Sequence, residues 1–276
     1  MTDLTLNAPI VPANPLRRMF RDEPVFTGMA LLIALAMLPT LGALSLDPRL
    51  FQGDPVWLKP LKFEFAMFVY LGTLAWFARF LPEAMRTRRS YRIYGAIVAF
   101  CVLGEILWIG GAAAFATASH FNDTQPVMMA LYALMGVFAV TLLSASLVYG
   151  IAIWRNSAAE LRPPMRLAIA LGLIMTFALT LIVAGTLSSG SGHFVGTPTT
   201  GATLPIMGWS TEVGDLRVAH LFATHAMHII PLAALLFATG RAASRWVWLI
   251  TIGFTLFTFA TFVQALAGLP LLALAQ

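Results

Sequence analysis

From Val25 onward the chain alternates long stretches almost free of charge with short ones in which Arg, Pro and Gly collect. The apolar stretches fall at roughly 25–46, 58–79, 93–118, 127–153, 165–188, 217–240 and 245–268, each near the ~20 residues a helix needs to cross a bilayer core. In the fourth, Met128, Leu131, Leu134 and Met135 lead into Val137, Phe138, Leu142 and Leu143. Apolar side chains therefore surround that helix, and no face is left for an aqueous partner. The pattern predicts an all-α integral membrane protein, a bundle of seven transmembrane helices, with residues 1–24 as an N-terminal segment and 25–276 as a single transmembrane domain. Continuous apolar runs argue against a β-barrel, which needs short segments of alternating polarity. A cleavable secretory signal is not expected either. The first run is as long as a full span and lacks a short h-region with an Ala-x-Ala site, so Arg17, Arg18 and Arg21 read as the flank of a retained anchor.

Composition agrees, with 59% hydrophobic and 11% charged residues over 276 positions and a mean hydropathy of +0.83. A water-soluble domain of this size needs far more polar surface. Arg17, Arg18 and Arg21 precede the first span; Arg79, Arg86, Arg88, Arg89 and Arg92 join the second to the third. Arg155, Arg162 and Arg166 join the fourth to the fifth, and Arg241 and Arg245 the sixth to the seventh. Cationic loops beside spans stay in the cytoplasm, so these clusters predict an N-in, C-out arrangement in a bacterial inner membrane. The opposite connections carry Asp47, Asp54, Asp123, Glu212 and Asp215 against Arg49, Lys59, Lys62 and Arg217. Trp76, Trp154, Trp246 and Trp248 fall at the inner interface and Trp57 at the outer, as an aromatic belt requires. The isoelectric point near 9.9 is then a matter of topology, not of nucleic-acid binding. Cys101 stands alone in its span and forms no intrachain disulfide. No internal repeat of the transporter kind is evident.

Ionisable side chains in hydrocarbon cost several kcal/mol unless paired or ligated, so each marks a site hypothesis. At a rise of about 1.5 Å per residue, Glu64 lies roughly 8 Å below the outer boundary, His225 roughly 10–12 Å, Glu105 roughly 12 Å and His228 about 15 Å. The expectation is one layer in which all of them meet. His225 and His228 point within roughly 60° of each other, and His220 lies one to two turns further out. Pro231 cannot donate to the Met227 carbonyl and should bend the helix beside the histidines. Trp108, one turn from Glu105, is placed to wall such a pocket. The Thr251, Thr255, Thr258 stripe and Gly104, Gly110 and Gly111 read as packing features.

The longest connection, Ser188 to Leu216, contains His193 and Trp209; it reads either as a solvated loop or as an ordered lid over the outer mouth. Lys59 and Lys62, the only lysines, sit at the outer end of the second span. With Arg217 they suit an anionic group such as a haem propionate, a lipid headgroup or a substrate carboxylate, or they simply snorkel. The segments Trp57-Leu-Lys-Pro-Leu-Lys-Phe63 and Gly208-Trp-Ser-Thr-Glu-Val-Gly-Asp-Leu-Arg-Val-Ala-His220 resemble recurrent signatures of a bacterial family of small multi-span membrane proteins. That resemblance implies a site built from the second span, the outer loop and the sixth span, and transfers no catalytic residue.

Three functional readings follow. His225, His228, Glu64 and Glu105 make a mixed N/O set for zinc, iron or copper, with Glu64 or Glu105 as general base if the metal is a hydrolytic zinc. A haem b would need imidazoles from different helices, for which His120 and His220 are the best pair, and would point to redox work with quinone or another membrane-soluble molecule. The rival is a proton-coupled transporter or sensor in which Glu105 and the sixth-span histidines exchange protons. A bare scaffold subunit is the third reading.

Overall fold

The helix ends follow from proline and from where the apolar runs stop. In the computed structural model, which describes residues 14–122, 125–190, 192–205 and 207–272, helix α1 spans Pro15–Asp22. Asn14 accepts the Leu16 N–H at 3.0 Å and Pro15 occupies the first helical position, where its missing N–H costs nothing. Proline also opens α2 (Pro24–Leu46). A two-residue hairpin, β1 (Leu50–Phe51) against β2 (Asp54–Pro55), leads into α3 (Leu58–Phe77), which ends in a 3₁₀ turn at Ala78–Phe80. After the short α4 (Glu83–Arg86) come α5 (Arg89–Ala114), α6 (Pro126–Arg155) and α7 (Pro163–Ser189). Strand β3 (Phe194–Val195) pairs with β4 (Gly214–Asp215) before α8 (Leu216–Thr224), α9 (Ala226–Phe237) and α10 (Ala243–Leu266). Asp123, assigned by sequence to an outer connection, and residues 1–13 lie outside the described residues.

The chain is an all-α membrane protein. Among the described residues six helices (α2, α3, α5, α6, α7 and α10) are long and apolar enough to cross a bilayer. The pair α8 and α9 passes the same test together, bent by 59°. Residues that sequence reading placed between spans extend the helices: α5 begins at Arg89, before Arg92, because long cationic side chains keep their charge at the interface while their stems lie along apolar surface. Helix α7 is the axial element. Its apolar window is 56% buried, against 17% for α2 and α6, so α7 packs on protein over more of its surface than they do. Trp76, Trp154, Trp246 and Trp248 remain exposed near the arginine-rich end.

Tight interhelical contacts hold the bundle. The Tyr70 hydroxyl donates to the Leu142 carbonyl at 2.9 Å, tying α3 to α6, and Tyr149 is fully buried against Phe26 and Tyr91. Of the glycines read as packing features, Gly104 meets the Phe138 ring at close range, whereas Gly110 and Gly111 face open space. The Thr251 and Thr258 hydroxyls bond back to Val247 and Phe254 in their own helix, and Thr255 reaches Met175 Sδ at 3.5 Å.

Candidate functional site

The bent helix is where regular backbone gives way inside the bundle. Pro231 has no N–H, so the Met227 carbonyl loses its usual helical partner, and the pyrrolidine ring crowds the preceding turn. The chain responds one turn earlier, where His225 leaves helical geometry between α8 and α9. The freed Met227 N–H donates to Thr176 Oγ1 on α7 at 2.8 Å, which meets the requirement that no backbone donor stay unpaired in hydrocarbon. Gly172, one turn before Thr176 on the same face, lets the break approach. A Cβ there would stand 3.0 Å from the Ala226 carbonyl and 3.1 Å from Pro231 Cδ.

Both histidines sit at this break. His225 Nδ1 and His228 Nδ1 are 3.1 Å apart, and His228 Nε2 is 2.9 Å from Thr73 Oγ1 on α3. The Thr73 hydroxyl in turn donates to the Val69 carbonyl at 2.7 Å. With its only proton so used, Thr73 accepts from His228 Nε2–H, so in the neutral pair His228 Nδ1 accepts from His225 Nδ1–H. The arrangement is a directed chain, His225 to His228 to Thr73 to Val69. One added proton goes to the other ring nitrogen of His225 and leaves the Nδ1 contact in place and charge-assisted, whereas protonating both rings would put two N–H groups face to face and break it. His220 lies on α8 with its Nδ1 buried and without a partner. It is within electrostatic reach of His225.

The carboxylates occupy another level. Glu64, 6% exposed, accepts from Thr40 Oγ1 on α2 at 2.9 Å, and its second oxygen is buried with no partner among the described residues. Glu105, 2% exposed on α5, likewise leaves Oε1 buried and unpartnered. Nine residues separate Glu64 from Thr73 along α3, an axial distance of about 13 Å. The single layer expected from sequence thus divides at least between Glu64, nearer the loop end, and His228, deeper in the bundle. Among the described residues no three His, Cys, Asp or Glu side chains are grouped closely enough to hold a metal ion.

Trp108 builds the mouth rather than the deep site: its Nε1–H donates to the Ser119 carbonyl at 2.7 Å and ties the segment after α5 back onto that helix. This places His120, whose Nδ1 is 3.0 Å from Ser119 Oγ and 3.4 Å from Lys59 Nζ, with its ring edge-on to Tyr132. Burial, and then the Lys59 charge, push His120 down to about 3, so at neutral pH it is an uncharged imidazole. Arg217 is engaged within the loop. It binds Asp215 through Nη2 at 2.6 Å and Nε at 2.9 Å, donates to the Gly208 carbonyl at 2.6 Å, and lies over the Phe194 ring. Neither Lys59 nor Lys62 forms an ion pair among the described residues.

The connection above the bundle is ordered by carboxylates. Asp215, 1% exposed, caps α8 at Arg217 N and also accepts the Ser210 N–H. Glu212 gathers Thr199, Thr200 and Ala202; the Thr200 hydroxyl, with the backbone N–H groups, holds its carboxyl down to about 2. His193 is half-buried in this loop; desolvation, and then the charge of Arg217, keep it down to about 4. The segment is thus ordered by its own hydrogen bonds.

Sequence reasoning passed over the hydroxyl partners Thr40, Thr73 and Thr176, and a buried cluster at the arginine-rich end in which Tyr91 and Tyr149 both donate to Glu23. A lone Thr or Tyr in an apolar run carries no signal of its own; only the helix opposite reveals what it binds. No protein-family model, curated protein or solved structure matches the chain.

Proposed function

We propose that the chain crosses a bacterial cytoplasmic membrane seven times, with α8 and α9 forming one bent crossing and the arginine clusters on the cytoplasmic side. It acts there as a proton-coupled carrier. The observation that supports this most is the Nδ1 to Nδ1 contact of 3.1 Å between His225 and His228 at a helix break. Irregular backbone at membrane depth belongs where protein buries it or a ligand is bound, and an imidazole pair sharing one proton is a group whose charge can change there. Glu64 and Glu105, each with an unpartnered oxygen, supply further proton-holding positions between this pair and the loop end. The Glu212-ordered loop would cover the mouth.

The test is reconstitution in vesicles loaded with a pH-sensitive dye, challenged under a pH gradient with a panel of inorganic ions and small organic acids and bases. One class of compound should discharge the gradient with wild-type protein and fail with His228→Gln or Glu105→Gln. If no compound moves protons, and the purified protein carries stoichiometric metal or haem, the carrier reading is overturned.

A second reading keeps the metal centre. Two imidazole nitrogens bound to one tetrahedral zinc at 2.0–2.1 Å stand about 3.3 Å apart, close to the observed spacing. Thr73 accepting the Nε2–H of His228 is the outer-sphere contact that a ligating imidazole needs. Elemental analysis and an absorption scan for a haem Soret band decide between the two, since the carrier needs neither metal nor haem.

A further inference from the structure

We propose that a cleft at the arginine-rich end, between α1 and the end of α3, binds the phosphate of an anionic phospholipid headgroup. Arg18 and Arg79 line it together with Pro15, Met19, Asp22 and Trp76. The Arg79 guanidinium lies over the Trp76 ring at 3.8 Å and over the Phe80 ring at 4.7 Å. A guanidinium placed over aromatic rings and without an ion pair among the described residues suits a phosphate oxygen at its terminal N–H groups. The carboxylate in the cleft does not meet that need. Asp22 is bound by Arg86 Nη1 at 2.7 Å and by Arg21 Nε at 3.0 Å, and neither Arg18 nor Arg79 has an ion pair among the described residues. Among the described residues, two cations without ion pairs therefore line one cleft whose acid, Asp22, is already neutralised.

A lipid is favoured over a soluble anion by what surrounds the cleft. In α1, Leu16, Met19 and Phe20 recur at the i, i+3, i+4 spacing of one helix face. Met19 packs into the bundle core, whereas Leu16 and Phe20 are exposed at 42% and 39%. Arg17 and Arg21 lie one turn apart away from that face. This is an interfacial amphipathic helix, apolar into the acyl region and cationic at headgroup level. Trp76, 39% exposed, sits at the same boundary. Acyl chains can then lie along the exposed apolar residues while the phosphodiester rests at the surface against Arg18 and Arg79.

The experiment measures phospholipid retained through purification of the full chain in mild detergent, by mass spectrometry, with Arg88→Gln as the control outside the cleft. Wild type and the control should keep phosphatidylglycerol in preference to phosphatidylcholine. Loss of one charge-assisted hydrogen-bonding group in Arg79→Gln should lower retention by about 10- to 100-fold, with Arg79→Lys intermediate because it keeps charge but not the fork. Arg18→Gln, at an exposed position, gives the same reading should Arg79→Gln not fold. Retention equal in all variants overturns the site. So does binding of inorganic phosphate at the cleft with no phospholipid retained, which would assign it to a soluble anion.

Discussion

The Nδ1 atoms of His225 and His228 face each other across 3.1 Å at the break between α8 and α9, and one proton must lie between them. The hydroxyl of Thr73 fixes which nitrogen holds the next proton. Thr73→Val removes that acceptor and leaves His228 Nε2–H unpaired. Nitrogen-15 spectra of labelled histidines should show a single tautomer of His228 in the wild type and a mixture in the variant. An unchanged single tautomer would remove Thr73 from the chain. Acidification that protonates both rings should separate them, visible as loss of their through-space contact.

Much of the fold was readable because lipid imposes length and polarity on each span independently of its neighbours. Val25 to Leu46 announces a crossing whatever it packs against, and α2 (Pro24–Leu46) is found there. The site was less readable because depth along one helix does not fix which neighbour lies opposite. Glu64 and His228 were assigned one layer by counting from span ends, yet His228 meets α3 at Thr73, nine residues beyond Glu64. The count assumed a straight sixth span, and the 59° bend removes that assumption. Pro231 foretold a bend beside the histidines. Gly172 and Thr176, which receive it on α7, had no signature in sequence.

That reception makes a stability prediction. Thr176→Val keeps the shape but strands the Met227 N–H, at a cost of about 1–3 kcal/mol, while Thr176→Ser restores the acceptor and should restore stability. Gly172→Ala forces α9 away from α7, since its Cβ would lie 3.0 Å from the Ala226 carbonyl and 3.2 Å from Met227 Cα. Thermal unfolding in detergent should rank wild type and Thr176→Ser above Thr176→Val. A Thr176→Val protein as stable as wild type would mean that the break does not depend on this hydrogen bond.

Acid should loosen the loop before the bundle. His120 and His193 are kept down to about 3 and about 4 in the fold, so between those values and the ordinary imidazole value near 6.5 the unfolded segment binds more protons than the folded one. Their contribution is thus fully present above that ordinary value and declines as pH falls towards 4 and 3. Glu212 adds a second phase. Its carboxyl, held down to about 2 chiefly by Thr200, loses its stabilising contacts as pH falls below the usual carboxylate range. Hydrogen exchange of residues 193–215 should therefore accelerate first between pH 6.5 and 4 and again below 4, while α7 stays protected; uniform exchange across that range would contradict this. In His193→Phe the first phase should shrink.

The contact between Gly214 and Ala265 supplies the severest test of the lid. Strand β4 lies so close to α10 that a Cβ on Gly214 would overlap the Ala265 carbonyl oxygen, and backbone on both sides leaves nothing flexible to yield. Gly214→Ala must therefore detach β4 from α10, and with it Asp215, which caps α8 and neutralises Arg217. Arg217→Lys is the milder change. It retains the charge beside Asp215 but loses the fork that also reaches the carbonyl of Gly208, a residue in a left-handed turn at φ +70°. Limited proteolysis should cut Gly214→Ala rapidly within 197–213, Arg217→Lys more slowly, and wild type least, with all three equally inserted in the membrane. If Gly214→Ala resists the protease as well as wild type, the loop does not depend on its seat against α10, and the lid assigned to the mouth loses its anchor.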